Sequence, residues 1–108
     1  MQIKPAEALE KLKDSNNEFL ELFGHGSLSV EVYKPNLVDN QTPHERDEIY
    51  VIISGSGEFI HAENTQSFDV GDVLFVPAGI EHRFINFTND FSTWVFFYGP
   101  NGGEAENK

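Results

Sequence analysis

The stretch GDVLFVPAGIEHRFIN, residues 71–86, organises the reading of the chain. It opens on Gly71-Asp72, crosses four apolar residues, breaks at Pro77-Ala78-Gly79 and resumes as HRFIN. Glycine tolerates positive φ and proline fixes its own φ, so two tight turns are expected on either side of a buried strand VLFV. In a strand, residues an even number apart share a face, which puts His82, Phe84 and Asn86 on one side of the next strand.

Upstream, TPHERDEIYVIISGSG, residues 42–57, sets His44 four positions ahead of Glu48 and runs into an apolar strand ending at glycines. If that strand starts near residue 44, His44, Arg46, Glu48 and Tyr50 share a face. Further runs, SLSVEVY, EFIHA, QSFDV and STWVFFY, are separated by Gly, Asn, Asp and Pro, and EFLELF pairs with SLSVEVY across a glycine turn. Eight or so short strands with regular turn signals indicate an all-β sandwich or barrel. Ahead of them, Ala6, Leu9 and Leu12 recur at helical spacing behind Pro5, so residues 1–16 hold one short helix. Residues 17–100 then form the barrel, and the polar NGGEAENK, residues 101–108, reads as a flexible tail.

The chain has 108 residues, the size of one domain. Eighteen acidic against seven basic residues give a formal charge of −11, which repels nucleic acid and anionic lipid. With no cysteine there is no thiolate ligand, nucleophile or disulfide, so any metal must use His and carboxylate. No secretion signal and no run of 18 apolar residues is found, which reads as a cytoplasmic protein. Two imidazoles and a carboxylate converging from two strands match the ligand set of non-haem iron, which Mn, Ni, Co or Zn also accept.

These residues carry a family resemblance. Gly71, Pro77, Gly79, His82 and Asn86 match the second cupin motif, G-x5-P-x-G-x2-H-x3-N, at every fixed position. The first motif, G-x5-H-x-H-x3,4-E-x6-G, is matched at His44, Glu48 and Gly55, while Asn36 replaces its first glycine and Thr42 its first histidine. The chain thus resembles a small single-domain cupin, which implies a double-stranded β-helix, or jelly-roll barrel, with one short N-terminal helix. The resemblance implies that His44, Glu48 and His82 hold one divalent transition metal (Fe, Mn, Ni or Zn), with Gln41 or Thr42 as the candidate fourth ligand. Asn36 tolerates a left-handed conformation and so can stand for the glycine.

Around that site, Arg46 can reach an anionic ligand, with solvated pairing to Glu45 or Asp47 as the competing reading. Tyr50, Phe84, Phe96 and Tyr98 are the rings that would line a substrate pocket, with plain core as the alternative. His25 reads as a turn residue, and His61 is left outside the site. Two functions stand side by side: a metal-dependent oxidoreductase, isomerase or lyase on a small organic molecule, or a non-catalytic module that encloses a small ligand. An enzyme needs a proton-handling group, for which Tyr50, Tyr98 or water are the candidates. A homodimer is expected, because EFLELF offers more apolar positions than one strand buries on one face.

Overall fold

The computed structural model describes residues 1–105. One helix precedes eight strands: α1 (Pro5–Ser15), β1 (Phe19–His25), β2 (Leu28–Tyr33), β3 (Asp47–Ser54), β4 (Gly57–His61), β5 (Asn64–Phe68), β6 (Val73–Val76), β7 (His82–Ile85) and β8 (Ser92–Tyr98). They form a five-stranded sheet in the order β1-β2-β8-β3-β6 and a three-stranded sheet in the order β5-β4-β7. All the pairings are antiparallel. This is the jelly-roll arrangement expected, and every strand run read from the sequence forms a strand.

Between the sheets the core is aromatic. Phe84 lies 4.6 Å from Phe91, 4.7 Å from Phe59 and 4.9 Å from Tyr50, ring centre to ring centre, with Phe68 and Val76 closing the cluster. Tilted and edge-on contacts at these distances suit the ring quadrupole. A second apolar cluster lies on the outer face of the large sheet, where Ala8 and Leu12 of α1 cover Val32, Leu20, Leu22 and Trp94. Leu20 and Leu22 are therefore covered within the chain, and Phe19 is the large apolar residue of that stretch left mostly exposed.

Four local expectations are corrected. The strand VLFV is not buried throughout: Val76 is buried, but Val73 and Phe75 point outward from an edge strand and are 65% and 50% exposed. Asn86 does not continue the inner face, because the strand stops at Ile85. Asn86 takes φ 50° and donates its side-chain N–H to Glu58 at 2.7 Å. The left-handed residue near Asn36 is Leu37, at φ 70°. The stretch from residue 101 is hydrogen-bonded to the barrel as far as Glu104: Gly102 N–H donates to the Glu45 carbonyl and Glu104 N–H to the Asp47 carboxylate at 2.8 Å. Residues 106–108 of the expected tail lie outside the described residues.

The glycines do two different jobs. Gly71 and Gly79 have φ of 87° and 81°, as their turns require. Gly55, at φ 82°, also lets the loop before β8 come close: a Cβ there would stand 2.6 Å from the Phe91 Cα.

Candidate metal centre

Glu48 is the second residue of β3 and points between the sheets, as do Tyr50 and Ile52 at the same parity. His82 opens β7, in register with His61 on β4, and its ring is 6.2 Å from Phe59 and 6.0 Å from Tyr50. These two side chains are fixed by strands. His44 is not, since β3 begins at Asp47 and residues 41–46 are irregular. Shared strand parity therefore does not bring His44 to Glu48.

Backbone anchors do. Gly79 N–H donates to the His44 carbonyl at 2.8 Å, and Asp47, 5% exposed, accepts from Ala78 N–H at 2.9 Å. The Pro77-Ala78-Gly79 turn, which leads into His82, thereby holds the loop that carries His44. His44 packs edge-on against Phe97 with ring centres 5.0 Å apart, and lies 5.2 Å from His82.

The result is a cluster in which one ligand atom from each of His44, Glu48 and His82 lies within 4.8 Å of the others. His82 Nε2 is 2.8 Å from Glu48 Oε1, and His44 Nε2 is 3.7 Å from the same oxygen. Glu48 is completely buried and His82 nearly so. The other nitrogen of His82, Nδ1, donates to the Ile80 carbonyl at 2.9 Å, which aims the Nε2 lone pair at Glu48. Glu48 Oε2 has no hydrogen-bond partner among the described residues.

Burial lowers the pKa of His44, with Glu48 opposing, so its imidazole is neutral at pH 7. For His82 burial also disfavours the charge, but the contacts with Glu48 and the Ile80 carbonyl outweigh it and raise the pKa. Burial, reinforced by Glu48, pushes the Tyr50 phenol well above its usual range.

Of the two candidate fourth ligands, Thr42 is exposed, whereas Gln41 Oε1 is 3.1 Å from His44 Nε2 and accepts from the Tyr50 hydroxyl at 2.9 Å. Of the expected pocket residues, Tyr50 and Phe84 line the interior. Phe96 and Tyr98 do not, because β8 presents Thr93, Val95 and Phe97 inward; Phe96 pairs with Ile49 on the outer face. Arg46 pairs with neither Glu45 nor Asp47 among the described contacts. Its guanidinium donates to the Ser27 carbonyl and lies 5.9 Å from the centre of the Phe97 ring.

Sequence reasoning missed three residues. Asp39, 1% exposed, accepts from Tyr33 O–H at 2.7 Å, Phe84 N–H at 2.8 Å and Gln41 Nε2 at 2.8 Å. Phe97 backs His44. Glu31 of β2 lines, with His44, Gln41, Tyr33 and Phe97, a cleft of about 680 Å³ at the barrel mouth. Burial raises the Glu31 carboxyl pKa, with the Ser29 hydroxyl opposing and the Glu21 charge adding to the rise.

A jelly-roll barrel with two imidazoles and a carboxylate converging inside it is thus the class of protein that fold and site define. The family model for the cupin domain matches residues 29–98, and the chain belongs to that family. An uncharacterized protein of Streptomyces coelicolor is 30% identical over 88 residues, 80% of this chain and 84% of its own. Among solved structures, a cupin 2 conserved barrel domain protein of Salinispora arenicola superposes with a TM-score of 0.66 at 20% identity, covering 92% of this chain and 89% of that one. The DMSP lyase DddQ of Ruegeria pomeroyi gives 0.63 at 27% identity over 75% of this chain, and the match spans 46% of the lyase. Among the described residues no helix is long and apolar enough to cross a membrane.

Proposed function

We propose that the protein is a metal-dependent enzyme acting on a small organic molecule in the cleft, with His44, Glu48 and His82 holding one divalent transition metal, Fe, Mn, Ni or Zn. The observation that carries this reading is the set of buried lone pairs. Glu48 Oε1 and His82 Nε2, 2.8 Å apart, repel unless a proton or a cation lies between them, and a proton there leaves Glu48 Oε2 still without a partner. A buried carboxylate lacking a cation costs several kcal/mol, so the donor set fits a divalent ion well.

A bound cation would supply Lewis-acid polarisation of a substrate oxygen. The chain's own residues do the rest. Tyr50, Phe59 and Phe84 wall the inner side of the site and exclude water from it. On the outer side the substrate lies against Phe97 and Tyr33, with Glu31 facing it as the group that takes or returns a proton. Lyase chemistry is one of the classes open to such a site, and a DMSP lyase is 27% identical to this chain.

Metal-stripped protein should bind about one equivalent of Fe(II), Mn(II), Ni(II) or Zn(II) in a calorimetric titration. Glu48→Ala and His82→Ala should each weaken binding more than about 100-fold, since even an outer partner of a ligand contributes 10–100-fold. Equal binding by wild type and both variants, or none at millimolar metal with the fold intact, sinks the metal reading. The loaded protein is then incubated with a panel of small organic acids and followed by NMR: substrate loss marks an enzyme, whereas line broadening without loss marks a binding module.

A further inference from the structure

We infer that Gln41, one residue before the position where the family motif has a histidine, is the fourth ligand of this centre: its side-chain amide oxygen lies beside His44 Nε2, and Asp39 fixes that oxygen toward the cluster. The inference rests on the metal reading above and extends it to a residue outside the three-residue cluster.

Position comes first. Two donor atoms about 2.1 Å from one ion are about 3.0 Å apart at a right angle and about 3.4 Å apart at a tetrahedral angle. Gln41 Oε1 to His44 Nε2 is 3.1 Å, which lies within that span, as part of a series with 2.8 Å for His82 to Glu48 and 3.7 Å for His44 to Glu48. The residue that aligns with the motif histidine, Thr42, is exposed.

Orientation follows from hydrogen bonding. The Gln41 amide nitrogen donates to Asp39 Oδ2 at 2.8 Å, the Gln41 backbone N–H donates to Asp39 Oδ1 at 3.2 Å, and the Tyr50 hydroxyl donates to Gln41 Oε1 at 2.9 Å. Flipping the amide would set its oxygen against the Asp39 carboxylate, where two acceptors repel. The oxygen is thus held on the side of the cluster. An amide oxygen has two lone pairs. Tyr50 uses one, and the other faces His44 Nε2. In the neutral tautomer that carries its proton on Nδ1, the imidazole presents an Nε2 lone pair to the amide oxygen, and a cation between them satisfies both. Asp39 is itself saturated by Tyr33, Phe84 and Gln41, so it acts as the carboxylate behind a ligand, a recurrent device for orienting metal donors.

Replacing an imidazole by an amide oxygen hardens the donor set and shifts preference toward Mn(II) and Fe(II) relative to Ni(II). This yields a test with a readout that a merely structural glutamine would not move. Metal-stripped wild type, Gln41→Ala and Gln41→His are titrated with Mn(II) and Ni(II), and the visible spectrum of the Co(II) form is recorded for each. Circular dichroism confirms that each variant is folded. Gln41→Ala should bind both metals at least about 10-fold more weakly and change the Co(II) ligand-field bands. Gln41→His should tighten Ni(II) more than Mn(II). If wild type binds but Gln41→Ala shows the same Kd and the same Co(II) spectrum, the inference is overturned. It is equally overturned if Gln41→His and Gln41→Ala bind both metals alike. A wild type that takes up no metal overturns the underlying three-ligand reading, and this inference falls with it.

Discussion

Phe84→Ala should lower the unfolding free energy by about 3–5 kcal/mol, the range for truncating a fully buried phenylalanine, and leave the protein largely unfolded at moderate temperature. Phe84 is 1% exposed and is the ring to which Tyr50, Phe59, Phe68 and Phe91 all pack, so both sheets lose a shared contact when it is cut back. The cavity is walled by rigid strands on two sides, which limits collapse and puts the cost toward the upper end. Urea unfolding followed by fluorescence of Trp94 measures it; a loss under about 1 kcal/mol would mean that the aromatic cluster repacks freely. Phe84→Leu, which keeps more of the volume, should recover a good part of the loss.

Asp39→Ala should cost about 3 kcal/mol or more, for a different reason. No apolar surface of note is lost. Instead the Phe84 N–H, the Tyr33 hydroxyl and both Gln41 donors lose their acceptor, and each buried donor left unmatched costs about 1–3 kcal/mol. Water reaching the Gln41 side relieves part of this, whereas the Phe84 N–H lies in the core and is not relieved. Asp39→Asn retains one acceptor oxygen and should fall between wild type and alanine. The same urea series discriminates: Asp39→Ala and Asp39→Asn of equal stability to wild type would show that the carboxylate is not needed as an acceptor.

How much of this was legible in the sequence follows from which residues sit in periodic segments. The strands were legible because turn residues punctuate them and apolar runs fill them, and the inward facing of Glu48 and His82 was legible because each belongs to a strand. The spacing of His44 from Glu48 points to their proximity, but strand parity is not its cause, since His44 lies in irregular backbone ahead of β3. In β8, STWVFFY, alternation carried no information, because both faces are apolar: one meets the barrel interior through Val95 and Phe97, and the other meets the α1 cluster through Trp94. Alternation alone therefore does not show that Phe96 and Tyr98, expected in the pocket, lie on the outer face. Asp39 and Gln41 lie in the irregular segment between β2 and β3, where no period predicts direction and only the folded path shows that NLVDNQT turns its acidic residue inward. Glu31 is hidden in SLSVEVY, because a lone glutamate between Val30 and Val32 has the pattern of a solvated outer face, whereas its face lines the cleft.

The fastening of the His44 loop by Gly79, Gly102 and Glu104 divides the site into parts with separate mechanical fates. Glu48 and His82 move only if the barrel moves, whereas His44 rides on a surface clasp closed by Gly102 and Glu104. For an ion held as proposed, release of His44 would need only local opening of that clasp, which breaks a few hydrogen bonds, and no unfolding of the barrel. A tether, label or fusion attached near residue 101 would pull on the latch directly. The same spot would let an engineer loosen the His44 loop while the strands that carry Glu48 and His82 keep their pairing.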